Sequence, residues 1–208
     1  MSKIAVFLAP GFEEIEALSV VDYLRRAGQD VITVSVPAAD SDELTSIVEG
    51  SHGVKVFADQ ILRDFIEDND GCLPDAVYFP GGMPGASNLA ANEDLTALIG
   101  DMCEVGKLVG AMCAAPAVVL AKTGVLAGKK WTCYPNMNNN LAEYCGSAEK
   151  ACELTKGATH IENVPFVFDG NVLTGRGPGT AEQFAMKFVE ILAGGDVAKK
   201  IHDGSCQR

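Results

Sequence analysis

Positive charge is what this chain has least of. Its 208 residues carry 16 lysines and arginines against 28 aspartates and glutamates, a net charge of −12. Binding nucleic acid or an anionic membrane requires basic patches that neutralise phosphates, so neither kind of partner is expected. Histidine is scarce too: His52, His160 and His202 are scattered, and the seven cysteines include no Cys-x-x-Cys pair. Structural zinc sites need closely spaced ligands, so the expectation is no metal and no other cofactor. Long apolar runs are missing as well. The longest, Leu108 to Ala121, is too short to cross a bilayer and contains Pro116. The N-terminal run from Ile4 stops at Pro10, ahead of Gly11 and three glutamates, which fits a buried first strand rather than an export signal. An odd cysteine count with no export signal fits a reduced, cytoplasmic protein.

What is present is enough apolar material for one substantial core, 48% of residues against 21% charged. No repeat, low-complexity tract or long linker interrupts it, so one domain over residues 1–208 is expected. Short β-rich runs alternate with helical patterns. Strands are predicted at Ile4–Leu8, Val31–Val36, Ala76–Phe79 and Lys107–Met112, and helices at about Glu13–Ala27 and Asn92–Val105, with another after Cys113. This alternation predicts an α/β sandwich of three layers, a mostly parallel sheet with helices on both faces. "ADSDEL" reads as a polar loop and "GVKVFAD" as a short strand or hairpin arm. "PFVFDGNVLTGR" reads as a β-hairpin turning at Asp169-Gly170-Asn171. Thr180 and Gln183 have capping-box spacing for a last helix ending near Gly194.

Three stretches carry candidate chemistry. In "KLVGAMCAAPAVVLAK" a strand runs into a helix with Cys113 in the turn, at the carboxyl edge where open α/β sheets place ligands. Small neighbours permit a tight nucleophile elbow, and the helix start should favour thiolate and lower the thiol pKa. A merely buried small residue is the competing reading. In "APGFEEIEALSVVDYLRRAG", Glu13 and Glu14 fit simple compensation of the helix dipole. Glu16 is in register with Val20, Tyr23, Leu24 and Ala27, on the side facing the sheet. A buried acid without a cationic partner keeps its proton, and a neutral carboxyl group can donate a hydrogen bond to a thiolate. In "YFPGGMPGASNL", Gly81-Gly82 can expose backbone N–H groups as oxyanion donors, or form a plain Gly-Pro turn.

In this order the stretches resemble the ThiJ/PfpI superfamily, specifically its parkinsonism-associated deglycase (DJ-type) branch. The resemblance runs through "GFEEIEA", "VDYLRRAG", "PGG", "GASNL", "AMCAAPAVVLA" and "LTGRGPGT". It implies a flavodoxin-like fold, usually homodimeric, and an elbow cysteine that oxidises readily to the sulfinic acid. By motif position Cys113 takes the nucleophile's place, Glu16 that of its protonated partner, and the N–H groups of Gly82 and Ala114 those of the oxyanion donors. Gly81 and Tyr134 fall in the pocket. Tyr134 stands where many relatives carry a histidine in a "THP"-like segment, and phenol is a poor general base near neutrality. His52 stands where some relatives carry an arginine near the dimer interface. Ile15 and Leu18 lie on the outer side of the first helix, apolar where solvent is otherwise expected, and the family's dimer uses this helix.

The implied activity is glyoxalase III or protein deglycase chemistry on methylglyoxal or glycated adducts, by attack of Cys113 on an aldehyde with Glu16 moving protons. The alternative is a redox sensor or redox-regulated chaperone in which Cys113 chiefly oxidises. An amidotransferase-like hydrolase would need a histidine. "HIE", His160 to Glu162, supplies the residue types but precedes the hairpin, on an edge connection.

Overall fold

The alternation of side chains in the first strand divides the molecule into its layers. Ile4, Val6 and Leu8 point into one apolar cluster, with Ala17, Val20 and Leu24 of the first helix and Phe184 and Phe188 of a late one. Ala5, Phe7 and Ala9 point into the other, with Phe65, Leu89, Leu95 and Ile99. The first strand is thus buried on both faces, as a parallel sheet covered by helices requires. A computed structural model describes residues 1–41, 43–69 and 71–207.

The strands are β1 (Lys3–Leu8), β2 (Asp30–Ser35), β3 (Ile47–Glu49), β4 (Lys55–Phe57), β5 (Gln60–Ile61), β6 (Ala76–Phe79), β7 (Leu108–Met112), β8 (Lys130–Trp131), β9 (Thr159–His160), β10 (Phe166–Asp169) and β11 (Val172–Gly175). Seven form the central sheet in the order β10-β11-β7-β6-β1-β2-β5. All its pairings are parallel except the β10–β11 hairpin. This is the flavodoxin-like α/β sandwich. The chain moves outward from β1 to β2, then returns to build β6 and β7 on β1's other side. The carboxyl ends of β1, β6 and β7 consequently border the switch point, where such sheets hold their ligands.

Most predicted elements lie within a residue of their expected limits. The first helix is Glu14–Arg26, and the helix Glu93–Glu104 is capped by Asn92, whose side chain accepts from the Leu95 N–H at 3.1 Å. "GVKVFAD" supplies β4, antiparallel to β3. The polar loop at 39–44 includes Asp42, which lies outside the described residues. Two local expectations need correction. Thr180 does not cap the last-predicted helix, Ala181–Ala193, through its side chain. Its hydroxyl instead bonds the carbonyls of Gly177 and Pro165, at 2.9 and 3.3 Å, tying the 177–180 turn to the start of the hairpin. The helix after Cys113 is π-helical over Pro116–Leu120 and α-helical only from Ala121 to Thr123. Helices Leu62–Asn69, Gly85–Ala91, Ala148–Leu154 and Gly195–Gly204 also complete the layers.

Candidate active site

β7 carries Val109 and Ala111 to one cluster and Leu108 and Met112 to the other, and the alternation then breaks. Cys113 shares the Met112 side because its backbone is left-handed, φ 60°. A non-glycine residue at positive φ is uncommon, and at a strand-to-helix turn it is the backbone of a nucleophile elbow. Neighbouring chain holds it there. The Cys113 N–H donates to the Gly175 carbonyl at 2.9 Å, and its carbonyl accepts from the Tyr134 N–H at 2.8 Å. The residue keeps 9% of its surface exposed.

Beside it, Gly81 follows β6 with no room for a side chain. A Cβ there would lie 2.5 Å from the Cys113 Cβ, 2.8 Å from Glu16 Oε2 and 3.0 Å from the Ala114 nitrogen. The Gly81 peptide is clamped on both sides: its N–H donates to Glu16 Oε2 at 2.8 Å and its carbonyl accepts from the Glu13 N–H at 2.9 Å. Gly82, at φ 87°, turns its N–H toward Cys113, as does Ala114. Tyr134, half exposed, borders an open hollow with Pro135, Arg176 and Pro178 on the other flank of the elbow.

Glu16 has no exposed surface. One carboxyl oxygen takes the Gly81 N–H; Oε1 is buried without a hydrogen bond of good geometry, and the remaining polar neighbour is the Cys113 thiol. Burial pushes the acid up to about 7, with a further push from the Glu13 charge, against the lowering effect of Gly81 and Cys113. The thiol also moves upward, contrary to the sequence-based expectation. Burial is the largest cause, the Glu16 charge and hydrogen bond add to it, and the N–H groups of Gly82 and Ala114 oppose it. The short, partly π-helical segment after Cys113 supplies little dipole to offset this. A charged Glu16 therefore keeps the thiol protonated, while a neutral Glu16 removes that obstacle and becomes a donor.

The structure thus brings together Cys113, Glu16, Gly81, Gly82 and Ala114, places Tyr134 at the rim, and leaves Ile15 and Leu18 on the helix's outer side, 56% and 37% exposed. His160 packs elsewhere, its ring 3.6 Å from the Cys133 sulfur and edge-on to Trp131. One cluster escaped the sequence reading. Glu13 and Glu14, taken as dipole compensation, meet His52 and Ser51 of the β3–β4 turn. Burial opposes ionisation of Glu14, but bonds from the His52 ring and from the N–H groups of His52 and Val54 bring it to about 2.

An α/β sandwich with an elbow cysteine and a buried acid at its switch point defines a class of cysteine-centred proteins. Residues 2–191 match the DJ-1/PfpI family, and the chain belongs to it. It is 36% identical over 205 residues to protein dj-1beta of Drosophila melanogaster, covering 98% of this chain and 97% of that one. The crystal structure of Drosophila DJ-1beta superposes over the whole of both chains with a TM-score of 0.83 at 33% identity. The glutathione-independent glyoxalase DJR-1.2 of Caenorhabditis elegans is 31% identical, over 92% of this chain and 90% of the relative. Protein DJ-1 homolog B of Arabidopsis thaliana is 33% identical over 96% of this chain, which spans only 40% of that relative's length.

The raised acid makes a stability prediction with a definite sign. Neutral Glu16 suits its site and ionised Glu16 does not, so its contribution is fully present below its ordinary value of 4.5 and is lost as pH rises through about 7. Denaturant unfolding of the wild type, referenced to Glu16→Gln at each pH, should lose about 3 kcal/mol across this window. A flat difference would mean that Glu16 ionises freely.

Proposed function

We propose that the protein is a cofactor-independent glyoxalase, converting methylglyoxal and water to lactate, with glycated adducts of the same aldehyde as related substrates. The observation that carries this reading is the buried pair of Cys113 and Glu16 across Gly81, a nucleophile beside an acid whose pKa lies near neutrality. The C. elegans relative, a glutathione-independent glyoxalase, supports it.

The Cys113–Glu16 pair reacts holding one proton. With that proton on Glu16 the Cys113 thiolate adds to the aldehyde carbon, and the oxygen that takes the charge is received by the N–H groups of Gly82 and Ala114 and takes the proton from Glu16, leaving a carboxylate as the base. A proton then leaves the former aldehyde carbon and one is delivered to the neighbouring carbonyl carbon, through an enediol. Glu16 shuttles them, and the result is a lactoyl thioester. Water cleaves the thioester, releasing lactate and restoring the cysteine. No electrons are lost overall, because one carbon is oxidised as its neighbour is reduced. Tyr134 is assigned no base role. Seven free cysteines fit a reducing, cytoplasmic setting.

Cys113→Ser should abolish measurable lactate formation from methylglyoxal. Glu16→Gln, which keeps a donor but cannot pass a proton on, should lower turnover by about 100-fold or more. Full turnover in Cys113→Ser would end this reading and leave redox sensing as the cysteine's role; near-wild-type turnover in Glu16→Gln would remove the acid from the mechanism.

The exposed pair Ile15 and Leu18 supports a homodimer built partly on the first helix. Sedimentation should give twice the 21.8 kDa chain mass, and Leu18→Glu, acting twice across a two-fold contact, should shift it toward monomer. A monomeric wild type would refute the dimer.

A further inference from the structure

The cluster of Glu13, Glu14, Ser51 and His52 has the dimensions of a metal cage. His52 Nδ1 lies 2.9 Å from Glu14 Oε2 and 3.5 Å from Glu13 Oε2. Ser51 Oγ lies 3.3 Å from each of the same two carboxylate oxygens and 3.1 Å from His52 Nδ1. One oxygen of each carboxylate and a ring nitrogen of His52 all lie within 4.8 Å of one another. A tetrahedron of N and O ligands at ordinary zinc distances has edges of about 3.3 Å, which the five measured separations bracket.

The construction around these atoms suits a cation. Glu13 and Glu14 are 9% and 7% exposed, so they form a fixed floor, and the His52 side chain, 70% exposed in the single chain, covers them from the outer side. The second oxygen of Glu14 accepts the N–H groups of His52 and Val54, at 2.7 and 3.4 Å, which orients the carboxylate as outer-shell bonds orient metal ligands. Gly50 lies against the same carboxyl group where any side chain would collide. The helix N-terminus opposes a cation with about half an elementary positive charge, but the two carboxylates outweigh it. Nitrogen and hydroxyl ligands come from a hairpin turn remote in sequence, so the set is more than a group of acids.

We propose that Glu13, Glu14, His52 and Ser51 form a binding site for a divalent cation of zinc type. One imidazole nitrogen, two carboxylates and a hydroxyl in tetrahedral array suit zinc better than magnesium or calcium, which take six or more oxygens. Zinc binds the neutral imidazole through Nδ1, leaving the ring's proton on Nε2, and a proton held at Nδ1 passes to solvent. The bound ion ties the turn between β3 and β4 to the start of the first helix. The site includes no atom of Cys113, so the ion binds without the thiol, although the Glu13 charge also bears on Glu16.

The test is calorimetric titration of the full-length protein with zinc chloride, paired with cobalt(II) absorption spectra to separate this site from the cysteines. The expected result is one ion per chain and tetrahedral cobalt bands without thiolate charge transfer. Cys113→Ser should bind as the wild type does, and His52→Ala and Glu13→Gln should each bind at least about tenfold more weakly. His52 is exposed, so its replacement leaves the core intact, and circular dichroism verifies folding of both variants. No binding by the wild type, unchanged affinity in His52→Ala, or a thiolate charge-transfer band would each overturn the proposal.

Discussion

The site depends on one hydrogen bond, from the Gly81 N–H to Glu16 Oε2 at 2.8 Å. Among the described residues it is the one backbone bond to the fully buried Glu16 carboxyl group, and it fixes the acid beside the thiol. One neutral donor cannot offset the cost of burying a full negative charge, so the acid moves up toward neutrality. Had an arginine occupied the space, the carboxylate would have been stabilised and useless as a proton donor. Gly81 makes the contact possible, because a side chain there would collide with both Glu16 and Cys113.

The sheet explains why three separate segments meet here. β1, β6 and β7 are adjacent and parallel, so their carboxyl ends deliver the start of the first helix, the Gly81-Gly82 turn and the Cys113 elbow to one edge. Paired rows keep these ends in step, with Tyr78 opposite Gly110 and Phe79 opposite Ala111. Small residues are then required. A Cβ on Gly110 would lie 2.9 Å from the Phe188 ring, so the late helix could not pack down on the sheet beneath the site.

Much of this was legible in the sequence because it rests on local patterns. Apolar runs bounded by Gly and Pro located the main strands, and the 3.6-residue spacing of Glu16 with Val20 and Leu24 placed that acid inward. Asp-Gly-Asn marked the hairpin. What stayed hidden depends on tertiary packing. The Cys113 thiol was expected to be acidic from its helix start, but burial and the Glu16 charge dominate it. Thr180 has cap spacing, yet a carbonyl from the distant Pro165 competes for its hydroxyl. Glu13 and Glu14 read as dipole compensation because His52 reaches them only through the β3–β4 hairpin.

The central claim is that Glu16 holds its proton close to neutrality. Infrared difference spectra between the wild type and Glu16→Gln, followed against pH, isolate this one carboxyl group. A protonated-carboxyl stretch that persists in the wild type well above 4.5 and disappears around pH 7 is the predicted result. A stretch already lost by about pH 5 would show an ordinary carboxylate and contradict the account.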